Sequence, residues 1–141
     1  MHARELEPDW TKIENQLRRL NGLGSRLFVL VDADYPPLLR ETASPPSVLF
    51  ALGEADLRAP SVAIVGTRNP SRYGRELARQ LAGGLALRGI NVISGMARGV
   101  DAAAHEGALG MVEMPGVTGE TVAVLGSGVD VVYPPELPGL Q

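Results

Sequence analysis

The sequence has no cysteine, which excludes a structural disulfide, a thiolate metal site and a cysteine nucleophile. It has two histidines, His2 and His105, so a histidine base can come from only one of these. The G-x-S-x-G elbow that exposes a serine nucleophile is missing around both Ser94 and Ser127, and no catalytic constellation assembles. Neither the G-x-G-x-x-G fingerprint nor the lysine-bearing phosphate loop of nucleotide hydrolases follows any apolar run, which disfavours NAD binding and ATP hydrolysis; no cofactor is expected. No apolar run approaches the roughly 18 residues of a membrane span, and no basic flank precedes an apolar N-terminal core. A cytoplasmic protein without a membrane association is the expectation.

Its 141 residues suffice for about one domain, short for a complete doubly wound sheet. Charge is unevenly distributed. Residues 1–61 carry seven basic and nine acidic side chains, residues 62–110 six and three, and residues 111–141 none and four. The positive excess therefore lies in the middle, and all six basic residues there are arginine, whose planar fork grips phosphate in a way an ammonium cannot. Lys12 is the only lysine, so an arginine-favouring genome explains the same bias.

That middle segment has the form of a parallel β-α-β unit. An apolar run at 62–65 gives way to Gly66-Thr67-Arg68, then to a helical pattern opened by Ser71 and closed by Gly89, then to a second run at 91–94. Leu77, Leu81 and Leu85 recur every four residues with Ala78, Ala82 and Ala86 beside them, a narrow stripe for packing on a sheet, while Gly83-Gly84 suggests close approach of another backbone. A second helix is expected over 101–109, a loop from Gly110 to Glu120, and a third strand over 121–125 leading to Gly126-Ser127-Gly128. Ahead of this unit, Trp10, Ile13, Leu17 and Leu20 share one helix face capped by Asp9, and two short strands at 27–31 and 48–52 form a preface. The division is a helical segment over 1–26 and an α/β domain over 27–141. With strand order 3-2-1, the 62–65 strand stands at an edge, which invites self-association or coverage by the preface.

Ligands of such sheets sit at the carboxyl ends of the strands. Gly66 lets backbone approach a ligand there, and the helix behind it aims free N–H groups and a positive dipole end at the same space. Arg68 on that loop reads as an anion contact, with Arg72 at the helix start beside it; Arg79, further along, reads as a solvated face. Asp101 and His105 share a helix face at i, i+4, but lack a third metal ligand.

Together these residues resemble a known family. The segments Val62-Ala63-Ile64-Val65-Gly66-Thr67-Arg68 with Tyr73-Gly74, Ile93-Ser94-Gly95-Met96-Ala97-Arg98-Gly99-Val100-Asp101 with Ala104-His105, and Val124-Leu125-Gly126-Ser127-Gly128-Val129-Asp130 with Tyr133-Pro134 are similar, in order, to the DNA-processing protein A (DprA, also Smf) family. The resemblance implies a Rossmann-like three-layer α/β/α domain with a mainly parallel sheet that binds single-stranded DNA. It also implies dimerisation and loading of a RecA-type recombinase in natural transformation, without catalysis. Arg68 is then placed on a phosphate over a floor of the Ser94-Gly95 and Gly126-Ser127-Gly128 turns, with Gly66, Thr67 and Arg72 completing the site. Since the chain stops at Gln141, ahead of the family's remaining strands and its Arg/Asn-rich motif, only the first half of that site is expected. Two other readings stand beside it: a nucleotide-binding enzyme resembling the LOG phosphoribohydrolases, loosely echoed by Pro115-Gly116-Val117-Thr118-Gly119-Glu120, and a truncated fragment without activity of its own.

Overall fold

The Asp9 carboxylate accepts a hydrogen bond from the Lys12 amide at 3.0 Å and so caps the first helix, α1 (Trp10–Gly22). In this computed structural model, residues 7–129 are described. Gly24, at φ +69°, turns the chain out of α1, and Ser25 returns both its amide and its hydroxyl to the Leu20 carbonyl. Only this last turn is anchored. Leu20 is buried, but Trp10, Ile13 and Leu17 stay exposed, so among the described residues most of the shared helix face is left uncovered.

The preface is two strands, β1 (Arg26–Val29) and β2 (Val48–Ala51), paired antiparallel with Arg26 opposite Ala51. Between them runs the short helix α2 (Pro37–Arg40), beside the buried Tyr35, whose hydroxyl donates to the Pro46 carbonyl at 2.8 Å. This hairpin-like pair is a sheet of its own and does not pair with β3, which removes strand pairing by the preface as an option and leaves that edge unpaired among the described residues.

The main sheet is parallel, in the order β3 (Ser61–Ala63), β4 (Asn91–Ser94), β5 (Thr121–Ala123), with β3 at an edge as the 3-2-1 reading requires. Val62 pairs with Val92, and Val92 with Thr121. β4 has the expected bounds, whereas β3 and β5 are shorter than expected at their carboxyl ends, although the Ile64 amide still donates to Ile93 and the Val124 amide to Ser94. At the amino ends the buried Asn91 stitches three segments together: its amide side chain donates to the Asp56 carbonyl, and its Oδ1 accepts from the Glu120 amide.

Two helices carry the crossovers, α3 (Arg72–Ala86) and α4 (Val100–Val112). Ala82 and Ala86 of α3, Val92 of β4 and Ala104 and Ala108 of α4 form one buried cluster, so both helices lie on the Val92 face of the sheet. Ile93, which alternates to the other face, is only half-buried.

This packing corrects the choice of helix face. The alanine stripe is buried, together with Gly83, while Leu77 and Leu81 are 40% and 54% exposed and Leu85 packs from the side. The cause is how closely the helices meet. A Cβ at Gly107 would stand 2.2 Å from the Arg79 carbonyl oxygen, and one at Gly83 would stand 3.2 Å from the Gly107 carbonyl oxygen. At that separation leucine cannot occupy the contact. Gly83 therefore marks the backbone approach inferred from the glycine pair; Gly84 does not, meeting only the Arg88 side chain.

Helix α4 also runs further than expected, through Gly110 to Val112. Met111 packs against the core, as does Val117 from the following loop, and Gly119 is buried where a Cβ would strike Ala86. The 113–120 connection is thus docked. Docking of Met111 outweighs the weak helix propensity of Gly110.

Candidate functional site

At the carboxyl edge of the sheet three loops meet. After β3 the chain passes Gly66, Thr67 and Arg68 to Ser71, whose hydroxyl accepts from the Gly74 amide at 3.1 Å and caps α3 as the sequence predicts. Thr67 shapes this loop through its hydroxyl, which accepts from the Asn69 amide at 3.2 Å. Its carbonyl accepts from the Val100 amide at 3.2 Å, linking this loop to the one after β4. Two glycines permit the contact. A Cβ on Gly66 would lie 2.8 Å from Val100 Cγ2, and a Cβ on Gly99, whose φ is +94°, would lie 2.4 Å from the Thr67 oxygen.

The loop after β4 is seated from beneath by Asp101. This buried carboxylate accepts from the amides of Gly95 and Ala97 at 3.2 and 3.4 Å. Between those amides stands Met96, the non-glycine residue held at positive φ (59°), its side chain buried. Such a backbone persists where its surroundings over-determine it, here through the two Asp101 bonds and the buried methionine. Ser94 is buried and spends its hydroxyl on the Ile64 carbonyl at 2.6 Å, so it ties β4 to β3 rather than offering a free donor.

The third loop, Gly126-Ser127-Gly128, follows β5 beside Ser94, whose carbonyl holds the Val124 amide. Gly126 and Gly128 are exposed, while the Ser127 hydroxyl is buried without a hydrogen-bond partner. The segment from Asp130, including the expected Tyr133-Pro134 turn, lies outside the described residues.

Several arginines stand at or near this edge. Among the described residues Arg68, Arg72, Arg75 and Arg98 are exposed and form no ion pair. Arg79 differs: it bonds Glu106 on α4 and Glu76 on its own helix, and the hydrogen bond it donates to Glu106 is the main cause that raises its pKa. The reading of Arg79 as a solvated helix face is therefore corrected: the residue is half-buried and ties α3 to α4 at their closest approach. Asp101 and His105 serve separate structures. His105 Nδ1 meets Thr121 Oγ1 at 2.7 Å, and Thr121 in turn donates to the Val92 carbonyl. Assigning the threonine's proton to that carbonyl places the imidazole proton on Nδ1. Its Nε2 is buried without a partner. Burial pushes the His105 pKa below 6.5, against a smaller upward pull from Asp101.

The structure thus brings together Gly66, Thr67, Arg68, Ser94 and Gly95, with Arg72 on the adjoining helix start and the 126–128 turn behind Ser94. Two residues were not read from the sequence as parts of this site. Arg98 repeats the placement of Arg68, an arginine in the short loop after a strand, and that repetition was the available signal. Asp101 was visible as a helix-start acid, but its grip on the preceding loop depends on the turn at Met96. Pro115 to Glu120 precede β5, at the opposite end of the sheet, so they cannot join this site.

A parallel half-sheet with glycine-tightened loops and exposed arginines at its carboxyl edge defines a Rossmann-like α/β protein. The model of the family described as DNA recombination-mediator protein A matches residues 26–141, and the chain belongs to that family. It is 44% identical over 110 residues to protein Smf of Synechocystis sp., covering 74% of this chain and 26% of that protein. It is 30% identical over 134 residues to DNA processing protein DprA of Bacillus subtilis, covering 94% and 43%. Among solved structures, DprA of Streptococcus pneumoniae superposes with a TM-score of 0.71 at 30% identity, over 96% of this chain and 48% of that one. DNA processing protein A of Helicobacter pylori, described for its single-stranded DNA binding mode, gives 0.65 at 30% identity, over 79% and 47%. The chain spans less than half the length of each of these relatives.

Proposed function

We propose that this chain binds single-stranded DNA through the carboxyl edge of its parallel sheet, as a binding module and not an enzyme, in DNA uptake and recombination. The observation that carries the reading is the set of four exposed, unpaired arginines around loops drawn tight at Gly66 and Gly99. A phosphate backbone supplies the missing negative charge, and such contacts position a strand without reading its sequence. Arg68 and Arg72 hold phosphates; Gly66, Thr67, Gly95 and the Gly126-Ser127-Gly128 turn give close-approaching backbone, with Ser94 beneath. Residues 27–141 form the binding unit and 1–26 a leading helical segment. Membership in a family described as recombination mediators supports a RecA-type recombinase as partner; the exposed apolar edge at β3 supports a homodimeric assembly, and action in the cytoplasm completes the reading.

Fluorescence anisotropy of a labelled oligothymidine across a salt series tests this. Binding should strengthen as salt falls, with a linear log–log dependence, and should be competed by unlabelled strands of unrelated sequence. No binding at low salt, or release of adenine when the protein is incubated with AMP, would overturn it.

A further inference from the structure

We propose that Arg98 is a second phosphate contact of the same strand, carried on a loop that Asp101 holds against the Arg68 loop. The proposal rests on the single-stranded DNA reading above and goes beyond it by naming a residue on a different loop. The two loops touch at the backbone. A Cβ on Gly99 would lie 2.7 Å from both the carbonyl carbon and the oxygen of Arg68, and the next amide, Val100, donates to Thr67. Arg98 and Arg68 are therefore set at the two sides of one seam.

Neither is neutralised. The acidic groups nearest in the chain are committed elsewhere: Asp101 is buried under the loop on the amides of Gly95 and Ala97, and Glu76 and Glu106 both hold Arg79. Among the described residues both guanidinium groups are left without an ion pair, and an anion lying across the seam meets two positive charges. The backbone at Met96 shows that this placement is imposed. A methionine at φ 59° is unfavourable, yet the turn keeps it, with Asp101 bonded on both sides.

The arrangement fits a linear polyanion better than a single small anion. Arg68 stands at the approach to α3, with Arg72 and Arg75 in its first turn, and Arg98 stands just ahead of α4. A strand crossing from one helix start to the other meets guanidinium groups in succession, each able to take a phosphate with its planar fork.

The experiment compares wild type, Arg68→Ala, Arg98→Ala, the double variant and Arg58→Ala in oligothymidine binding over a salt series, with thermal melts of each. Arg58 is exposed just ahead of β3, at the far end of the sheet. Each single substitution at 68 or 98 should lower the salt slope by about 0.7, and the double by about 1.4, whereas Arg58→Ala should leave it unchanged. Arg98→Lys should keep the slope and recover only part of the affinity. If Arg98→Ala matches wild type in slope and affinity while Arg68→Ala does not, Arg98 is no contact and the DNA reading survives. If wild type fails to bind, both readings fall.

Discussion

Gly107 lies against Arg79 so closely that a Cβ there would stand 2.2 Å from the Arg79 carbonyl oxygen. This contact fixes the spacing of α3 and α4 and, through it, the register of the alanine cluster. Gly107→Ala should destabilise the protein by about 2 kcal/mol, because the overpacking penalty exceeds the roughly 1 kcal/mol that alanine contributes to a helix. Gly110, three residues on, has nothing within 4 Å of its Cβ position, so Gly110→Ala should instead stabilise, by up to about 1 kcal/mol. Urea denaturation of both variants checks this; shifts of the same sign would contradict it.

The docked 113–120 connection gives a second expectation. Val117 packs against the core cluster, so Val117→Ala should cost about 1 kcal/mol and lower the melting temperature by several degrees. A melting curve identical to wild type would show that the loop merely passes over the core.

Stability should also depend on His105. Its folded pKa is depressed by burial, so below about 6.5 the unfolded chain binds the proton more readily. The stabilising contribution of neutral His105 is complete above that pH and is lost as pH falls through the window between the ordinary and the depressed value. His105→Gln should flatten this part of the stability profile while leaving the carboxylate-driven fall at lower pH. Parallel profiles for variant and wild type between pH 7 and 5 would refute the assignment.

The open edge at β3 predicts assembly. Val62 is 41% and Val65 73% exposed there, and Tyr73, Leu77 and Leu81 form an exposed row along α3. An apolar parallel strand without a neighbour pairs readily, so the 141-residue chain should sediment as a dimer whose dissociation constant rises at least about tenfold with Val65→Lys. A wild-type monomer at every concentration would contradict this.

The parts legible in sequence are those specified locally. Ser71 and Asp9 cap helices by side-chain chemistry, Gly89 supplies a positive φ of 72° after α3, and the order of apolar runs and periodic segments gives the parallel 3-2-1 sheet. The buried face of α3 was not legible, because leucines and alanines run in adjacent stripes of the same period. The choice between them is made by how closely α4 approaches, a tertiary fact. The extent of α4 was hidden for the same reason, since Gly110 signals an end locally and Met111 overrides it by docking. At the site, Gly66 and Arg68 were readable from their place after a strand. The clasp of Gly99 on the Arg68 loop joins residues far apart in the chain and needed the fold.

The central claim is that Arg68 is a phosphate contact at the carboxyl edge of this sheet. Its most direct test is the oligothymidine affinity of Arg68→Ala beside wild type, measured at several salt concentrations with both proteins shown to melt alike. The account predicts weaker binding at low salt, a salt slope lower by about 0.7, and a loss that is the same for strands of different base sequence. Equal affinity and equal slope for the two proteins would contradict it.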